Sequence, residues 1–232
     1  MNQPAATFSI FGPSHLGAWL VLFIAGFALI RFSRAHPGSR GIRVCELALI
    51  GSLLLSIFFK PISQALTGRF EIGVALPLHY CDLAAMLGVA ALITHRQRLC
   101  ELVYFFGLAG TAQALITPAL TSDFPSPTYF IFFLGHGAIV ITALHAVLGL
   151  KKLPQPGAVK RAMLVSTTYA LVVGGINFLL GTNYGFLCAK PPTTSLMDAL
   201  GPWPWYVALL WLVALGIYTL LYLPFRLASP KQ

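Results

Sequence analysis

The chain has 232 residues, 57% of them apolar and 9% charged, with a mean hydropathy of +0.80; these values lie outside the range of a soluble domain of this length. Its net charge of +9 comes from basic residues set in short loops between apolar runs, which excludes nucleic acid as a partner and makes these residues determinants of membrane orientation. Cys45, Cys81, Cys100 and Cys188 show no C-x-x-C or zinc-like spacing, so neither a metal site nor a disulfide framework is indicated, and no cofactor is expected.

A helix needs roughly 17–25 residues of apolar sequence to cross a bilayer core about 30 Å thick. Seven stretches qualify: 16–32, 44–62, 74–94, 99–117, 128–150, 162–181 and 203–224. The fold expected is all-α, a polytopic seven-transmembrane-helix bundle, with residues 1–232 forming one transmembrane domain. No cleavable signal is expected, because residues 1–14 carry no positive charge and Arg31 and Arg34 follow the first apolar run. The loops alternate in charge. One set holds Arg31, Arg34, Arg40, Arg43, Arg96, Arg98, Lys151, Lys152, Lys160, Arg161, Arg226 and Lys231, the other only Lys60, Arg69 and Lys190. Twelve basic residues against three predict an N-out, C-in arrangement.

The third stretch contains the sequence Leu76-Pro77-Leu78-His79-Tyr80-Cys81-Asp82-Leu83, where ionisable groups interrupt an apolar run. Such groups normally face a protein interior or a wet cavity rather than lipid. Read as a continuous helix, the stretch puts His79 and Asp82 about 60° apart and able to pair, and turns Cys81 elsewhere. Cys81 lies on the order of 10 Å below the start of its stretch, and His136, within Gly135-His136-Gly137, lies at a similar depth in the fifth. A base for Cys81 therefore has His136 as its candidate. Gln113, Asn177 and the Asn183-Tyr184 pair fall in the same outer half, which favours an outward-facing polar cavity. Interhelical hydrogen bonding by these amides and imidazoles is the other reading. The glycines of Gly107-x-x-Gly110 and Gly174-Gly175 read as sites of close helix approach. Cys45 and Cys100 read as small inert hydrophobes.

Residues 183–200 form a long, apolar, poorly charged connection, expected to fold back over the bundle mouth as a lid or to lie at the headgroups. Thr193 or Thr194 is placed to cap a short helix through Leu200, ended by Gly201-Pro202, that lays Leu196, Met197 and Leu200 on the mouth. Trp203 and Trp205 fit an interfacial aromatic belt, and Lys190 either attracts an anionic headgroup or snorkels.

The segment 76–82, the run Phe106-Gly107-x-x-Gly110-x-x-Gln113-Ala114, His136-Gly137, and Asn183-Tyr184 through Lys190-Pro191 to Leu200-Gly201-Pro202-Trp203-Pro204-Trp205-Tyr206 resemble bacterial YwaF-like integral membrane proteins. They are similar, more distantly, to the transmembrane protein 164 family, whose activity in animals is acyl transfer between phospholipids by a membrane-embedded cysteine. The resemblance covers the second to seventh stretches and implies a bacterial inner-membrane protein with Cys81 as nucleophile and His136 as its partner. Membrane phospholipids would then be the substrate partner, and the activity either an acyltransferase or an acyl hydrolase. It further implies that Gln113, Asn177 or Asn183 donates to the oxyanion, with Asp82 orienting His79 or His136 and Tyr184 and Lys190 in the substrate region. The competing class is a carrier or sensor in which His79, Asp82, His136 and Asn177 bind a small ligand or relay protons.

The charge asymmetry gives a first test. Single cysteines at positions 34, 97 and 155 should react only with reagent supplied on the cytoplasmic side, and those at 68, 122 and 192 only with reagent supplied outside. Labelling of position 155 from outside alone would overturn the orientation.

Overall fold

The computed structural model describes residues 7–191 and 196–228. In chain order the helices are α1 (Pro13–Ala35), α2 (Arg40–Leu66), α3 (Ile72–Ala75), α4 (Tyr80–Thr94), α5 (Gln97–Phe106), α6 (Ala112–Ile116), α7 (Pro127–Leu144), α8 (Ala158–Leu180) and α9 (Trp205–Ala228). A π-helical turn, Gly107–Thr111, joins α5 to α6, and a second, His145–Gly149, extends α7. Among the described residues, six helical rods are long and apolar enough to cross a membrane: α1, α2, the α5–α6 rod, α7 with its π turn, α8 and α9. The protein is a multi-pass helical membrane protein.

The expected third span, 74–94, is not one helix. Its helical part, α4, has 15 residues, about 22 Å of rise against a hydrocarbon core of about 30 Å. It is preceded by the four-residue α3 and by non-helical residues 76–79. The second span runs further than expected, through Pro61 to Leu66; Pro61 removes one intrahelical donor without ending the helix.

Burial sorts the helices. α7 is apolar around its whole circumference and is the central rod, 61% of its best window being buried, whereas α1, α8 and α9 bury 17%, 17% and 11% and turn broad apolar faces outward. Leu53 of α2, Ala84 and Leu92 of α4, and Phe105 and Phe106 of α5 form the tightest part of the core. Small residues admit close approach there. A Cβ on Gly107 would lie 2.8 Å from the Ala143 Cβ, and one on Gly110 would lie 2.9 Å from the Tyr80 ring. Gly174 and Gly175, expected to do the same, have nothing within 4 Å and are not contact glycines among the described residues.

Hydrogen bonds at the two ends of the bundle fix the up-and-down order. At one end His15 Nε2 and Trp19 Nε1 both reach the Leu115 carbonyl at 2.8 Å, and the Tyr129 hydroxyl donates to the Ser14 carbonyl at 2.6 Å. At the other end lie the arginines. Arg34 donates to the Leu148 carbonyl at 2.8 Å and Arg43 to the Leu92 carbonyl at 3.0 Å. Two buried carboxylates knot this basic end together. Glu46 meets Arg43 at 3.3 Å, His95 at 2.9 Å and His145 at 3.3 Å. Glu101 accepts from Arg161 Nη2 at 2.6 Å, Gln97 Nε2 at 3.0 Å and the Gln155 backbone N–H at 3.0 Å.

Glu101 is 1% exposed, so removing its carboxylate strands Arg161 and two further donors. We expect Glu101→Ala to lose about 3 kcal/mol of stability, as for other buried pairs broken from one side, read as a lowered unfolding temperature in detergent. Arg161→Ala should be similar, and the double variant should lose much less than the sum.

Candidate functional site

Pro77 decides the local structure around Cys81. Proline disfavours helical geometry in the residue before it, and Leu76 is accordingly extended at φ −72°, ψ 140°. The helix restarts at Tyr80 with His79 as its N-cap. Cys81 is thus the second residue of α4, not a residue seven positions inside a helix, and the backbone N–H groups of Cys81 and Asp82 lie against its Sγ.

Non-helical backbone at this depth needs partners within the protein, and it has them. The Tyr184 hydroxyl accepts from the Leu76 N–H at 3.0 Å and donates to the Ile72 carbonyl; the Tyr169 hydroxyl donates to the Leu78 carbonyl at 2.8 Å. Asp82 Oδ2 accepts the His79 backbone N–H at 2.9 Å, closing the first turn of α4. The side-chain pairing expected of His79 and Asp82 is therefore not formed. The His79 imidazole turns instead to the loop after α8, against the rings of Tyr184 (5.5 Å) and Phe186 (5.4 Å), with the Gly185 N–H 3.4 Å from Nδ1.

That loop is held in the same way. Asn177, 1% exposed, donates to the Tyr184 carbonyl and accepts from the Tyr184 N–H and the Thr182 hydroxyl, each at 2.8 Å. Asn183 accepts from the Cys188 and Ala189 N–H groups at 3.0 Å and donates to the Ala189 carbonyl at 2.9 Å. The ammonium of Lys190 is 5.8 Å from the Tyr206 ring centroid and 3.4 Å from the Asp198 carbonyl. A 3₁₀ turn covers Leu196–Leu200; the proposed caps Thr193 and Thr194 lie outside the described residues.

Cys81 and Asp82 face the other way, into a cavity of about 520 Å³. Its walls are α2 through Ser56, Lys60 and Ser63, α7 through Thr128, Phe132 and His136, and the connection 119–122. That connection is fastened by an antiparallel bridge between Thr7 and Ser122. The His136 ring stacks on Phe132 at 4.1 Å, and its Nδ1 is 2.9 Å from the Phe132 carbonyl. This bond assigns the Nδ1 proton and leaves Nε2 as the acceptor. A carbonyl one turn back thus orients the His136 ring, a role the sequence offered to Asp82.

Of the residues singled out from sequence, Cys81, Asp82 and His136 share the cavity. His79, Asn177, Asn183, Tyr184 and Lys190 instead build the clamp that holds residues 72–79 and the loop 183–190. Gln113 is exposed on α6 and does not line the cavity. Sequence reasoning missed Ser56, Lys60, Ser63 and Gln64; their spacing of four and three residues along α2 marks one polar stripe on an apolar helix.

Residues 10–222 match the model of the TMEM164 family. No curated protein and no solved structure matches the chain.

The two long walls meet where a Cβ on Gly135 would run into the Ser56 Cβ. Gly135→Ala should therefore push α2 and α7 apart and cost about 1–3 kcal/mol. Ser56→Gly in the same chain should recover most of that loss in thermal unfolding, whereas Ser56→Ala, which keeps the Cβ, should not.

Proposed function

The chain belongs to the TMEM164 family, and from that premise we propose that it is a membrane-embedded cysteine acyltransferase acting on phospholipid esters. The observation that carries the reading is the shared cavity of Cys81 and His136, with Nδ1 of His136 tied to the Phe132 carbonyl. Cys81 Sγ loses its proton to His136 Nε2 as it attacks the ester carbonyl. The tetrahedral intermediate collapses with cleavage of the C–O bond, and the Nε2 proton passes to the departing lysolipid oxygen. The acyl group is then a thioester on Cys81. An acceptor hydroxyl, from a second lysolipid or from water, gives its proton to Nε2 and attacks the thioester; the thiolate leaves and recovers the proton. The sequence is redox-neutral and returns both residues to their starting state.

The oxyanion needs donors, and the amides of Asn177 and Asn183 are engaged in the loop clamp. The backbone N–H of Cys81 beside Sγ replaces them in this reading, with the first turn of α4 adding its dipole; the Asp82 N–H donates to the His79 carbonyl at 3.0 Å. Asp82 holds that turn by accepting the His79 N–H and so acts through the geometry of α4, not on either imidazole.

In the same reading α4 completes a seventh pass, and the arginine-rich end of the bundle faces the cytoplasm. The cavity then opens on the outer side, near the depth of outer-leaflet ester groups. The reading also places the chain with YwaF-like proteins of a bacterial inner membrane, on the sequence resemblance alone. Ligand or proton carriage by the same cavity is the competing function, and it needs no thioester.

Incubation with phospholipid bearing a labelled acyl chain should leave hydroxylamine-sensitive label on the protein. Cys81→Ala should abolish the label, and His136→Ala should lower its rate by about 10²–10⁴-fold, the usual worth of a general base. Full acyl transfer by Cys81→Ala would overturn the mechanism and favour the carrier.

A further inference from the structure

Lys60 is the one lysine or arginine among the residues that line the cavity, and neither the fold nor the chemistry above uses it. It stands on α2 beside Ser56, Ser63 and Gln64. Among the described residues no carboxylate forms an ion pair with it: the acidic partners in ion pairs are Glu46 and Glu101, both at the opposite end of the bundle. Asp82, on the cavity wall, is engaged with the His79 N–H. The Lys60 ammonium is within electrostatic reach of Asp82 but outside ion-pair distance, and an ammonium so placed on a cavity wall is a place for an anion that arrives with the ligand.

The register of the two long walls gives the height of that anion. The missing Cβ of Gly135 points at Ser56, so Ser56 is level with Gly135 and His136. Lys60 is four residues further along α2, about 6 Å nearer the mouth, and Ser63 and Gln64 follow within about another 6 Å. In a glycerophospholipid the phosphodiester is joined to the glycerol ester by a few bonds, a separation of the same order. With an ester carbonyl at His136, the phosphate oxygens come level with Lys60. The neutral side chains of Ser63, Gln64 and Thr128 are left beside the remainder of the headgroup. Lys190, the lysine singled out from sequence for this role, instead has its ammonium near the Tyr206 ring and the Asp198 carbonyl.

We infer that Lys60 is the headgroup-phosphate subsite of the cavity, binding the phosphodiester of a glycerophospholipid and selecting such lipids over neutral glycerides. The inference rests on the acyl-transfer reading for the position of the ester, and binding can be measured without any reaction.

The experiment uses the full chain in detergent micelles and two radiolabelled probes that contain no ester, diether phosphatidylglycerol and the corresponding diether glycerol. Lys60→Gln should weaken binding of the phospholipid by about ten-fold, the worth of one hydrogen bond to a charged group, and leave binding of the neutral diether unchanged. Lys60→Arg should restore binding of the phospholipid. Equal phospholipid binding by Lys60→Gln and wild type overturns the subsite. So does a parallel loss of both probes, which marks general damage to the cavity. Displacement of the phospholipid by low-millimolar inorganic phosphate alone assigns the site to free phosphate and overturns the lipid assignment. Thioester labelling of Cys81 is scored separately: Lys60-dependent binding without label rejects acyl transfer and keeps the subsite, while label with Lys60-independent binding does the reverse.

Discussion

A lipid bilayer offers no hydrogen-bond partner to exposed peptide groups, so every interruption of a helix inside it must be answered by the protein itself. The break at Pro77 is the interruption on which this structure depends. Residues 76–79 leave helical geometry after the single turn of α3, and freed groups go to side chains: those of Ile72 and Leu76 to Tyr184, Leu78 to Tyr169, His79 to Asp82. Tyr184 is itself held by Asn177, and Phe186 gives its carbonyl to the Tyr206 hydroxyl at 2.5 Å. The clamp thus runs from α4 through the loop after α8 to α9.

The break also decides what Cys81 is. In the middle of a continuous helix its neighbouring amides would be spent on intrahelical bonds, and the thiol would be one more small apolar side chain. At the second position of a new helix the Cys81 amide lies beside Sγ, and the side chain opens on a cavity whose far wall carries an imidazole with an assigned tautomer. The polar residues at this level of the bundle divide accordingly. One group secures the backbone and the other lines the space.

That division explains what could be read from the sequence. Apolar runs located the rods, because length and hydropathy are local properties; they missed the gap in the third rod, because Pro77 was counted as one apolar residue instead of as a lost donor. The depth argument put Cys81 and His136 at one level, and both line the cavity, although the count ran along a straight helix that Pro77 interrupts. It also drew in Asn177 and Asn183, whose amides are spent on a loop that periodicity cannot describe. Lys60 was tallied as a loop charge, which hid its place in the Ser56–Lys60–Ser63 stripe. Glu46 and Glu101, each buried in an apolar helix, were the strongest unread signals, for a carboxylate in such a setting requires partners from other helices.

The knot around Glu46 has a consequence for how the chain is made. Its helical neighbour Arg43 is available at once, but His95 lies 49 residues downstream and His145 lies 99. At about 5–20 residues per second, α2 is synthesised several seconds before the last of these imidazoles exists. For the first part of that interval Arg43 is the one partner of the carboxylate already made, His95 joins it next, and the knot closes only with His145. The last contact of the knot therefore belongs to a late-arriving histidine, and a ribosome stalled between residues 95 and 145 would hold a nascent protein whose Glu46 lacks one of its folded-state partners.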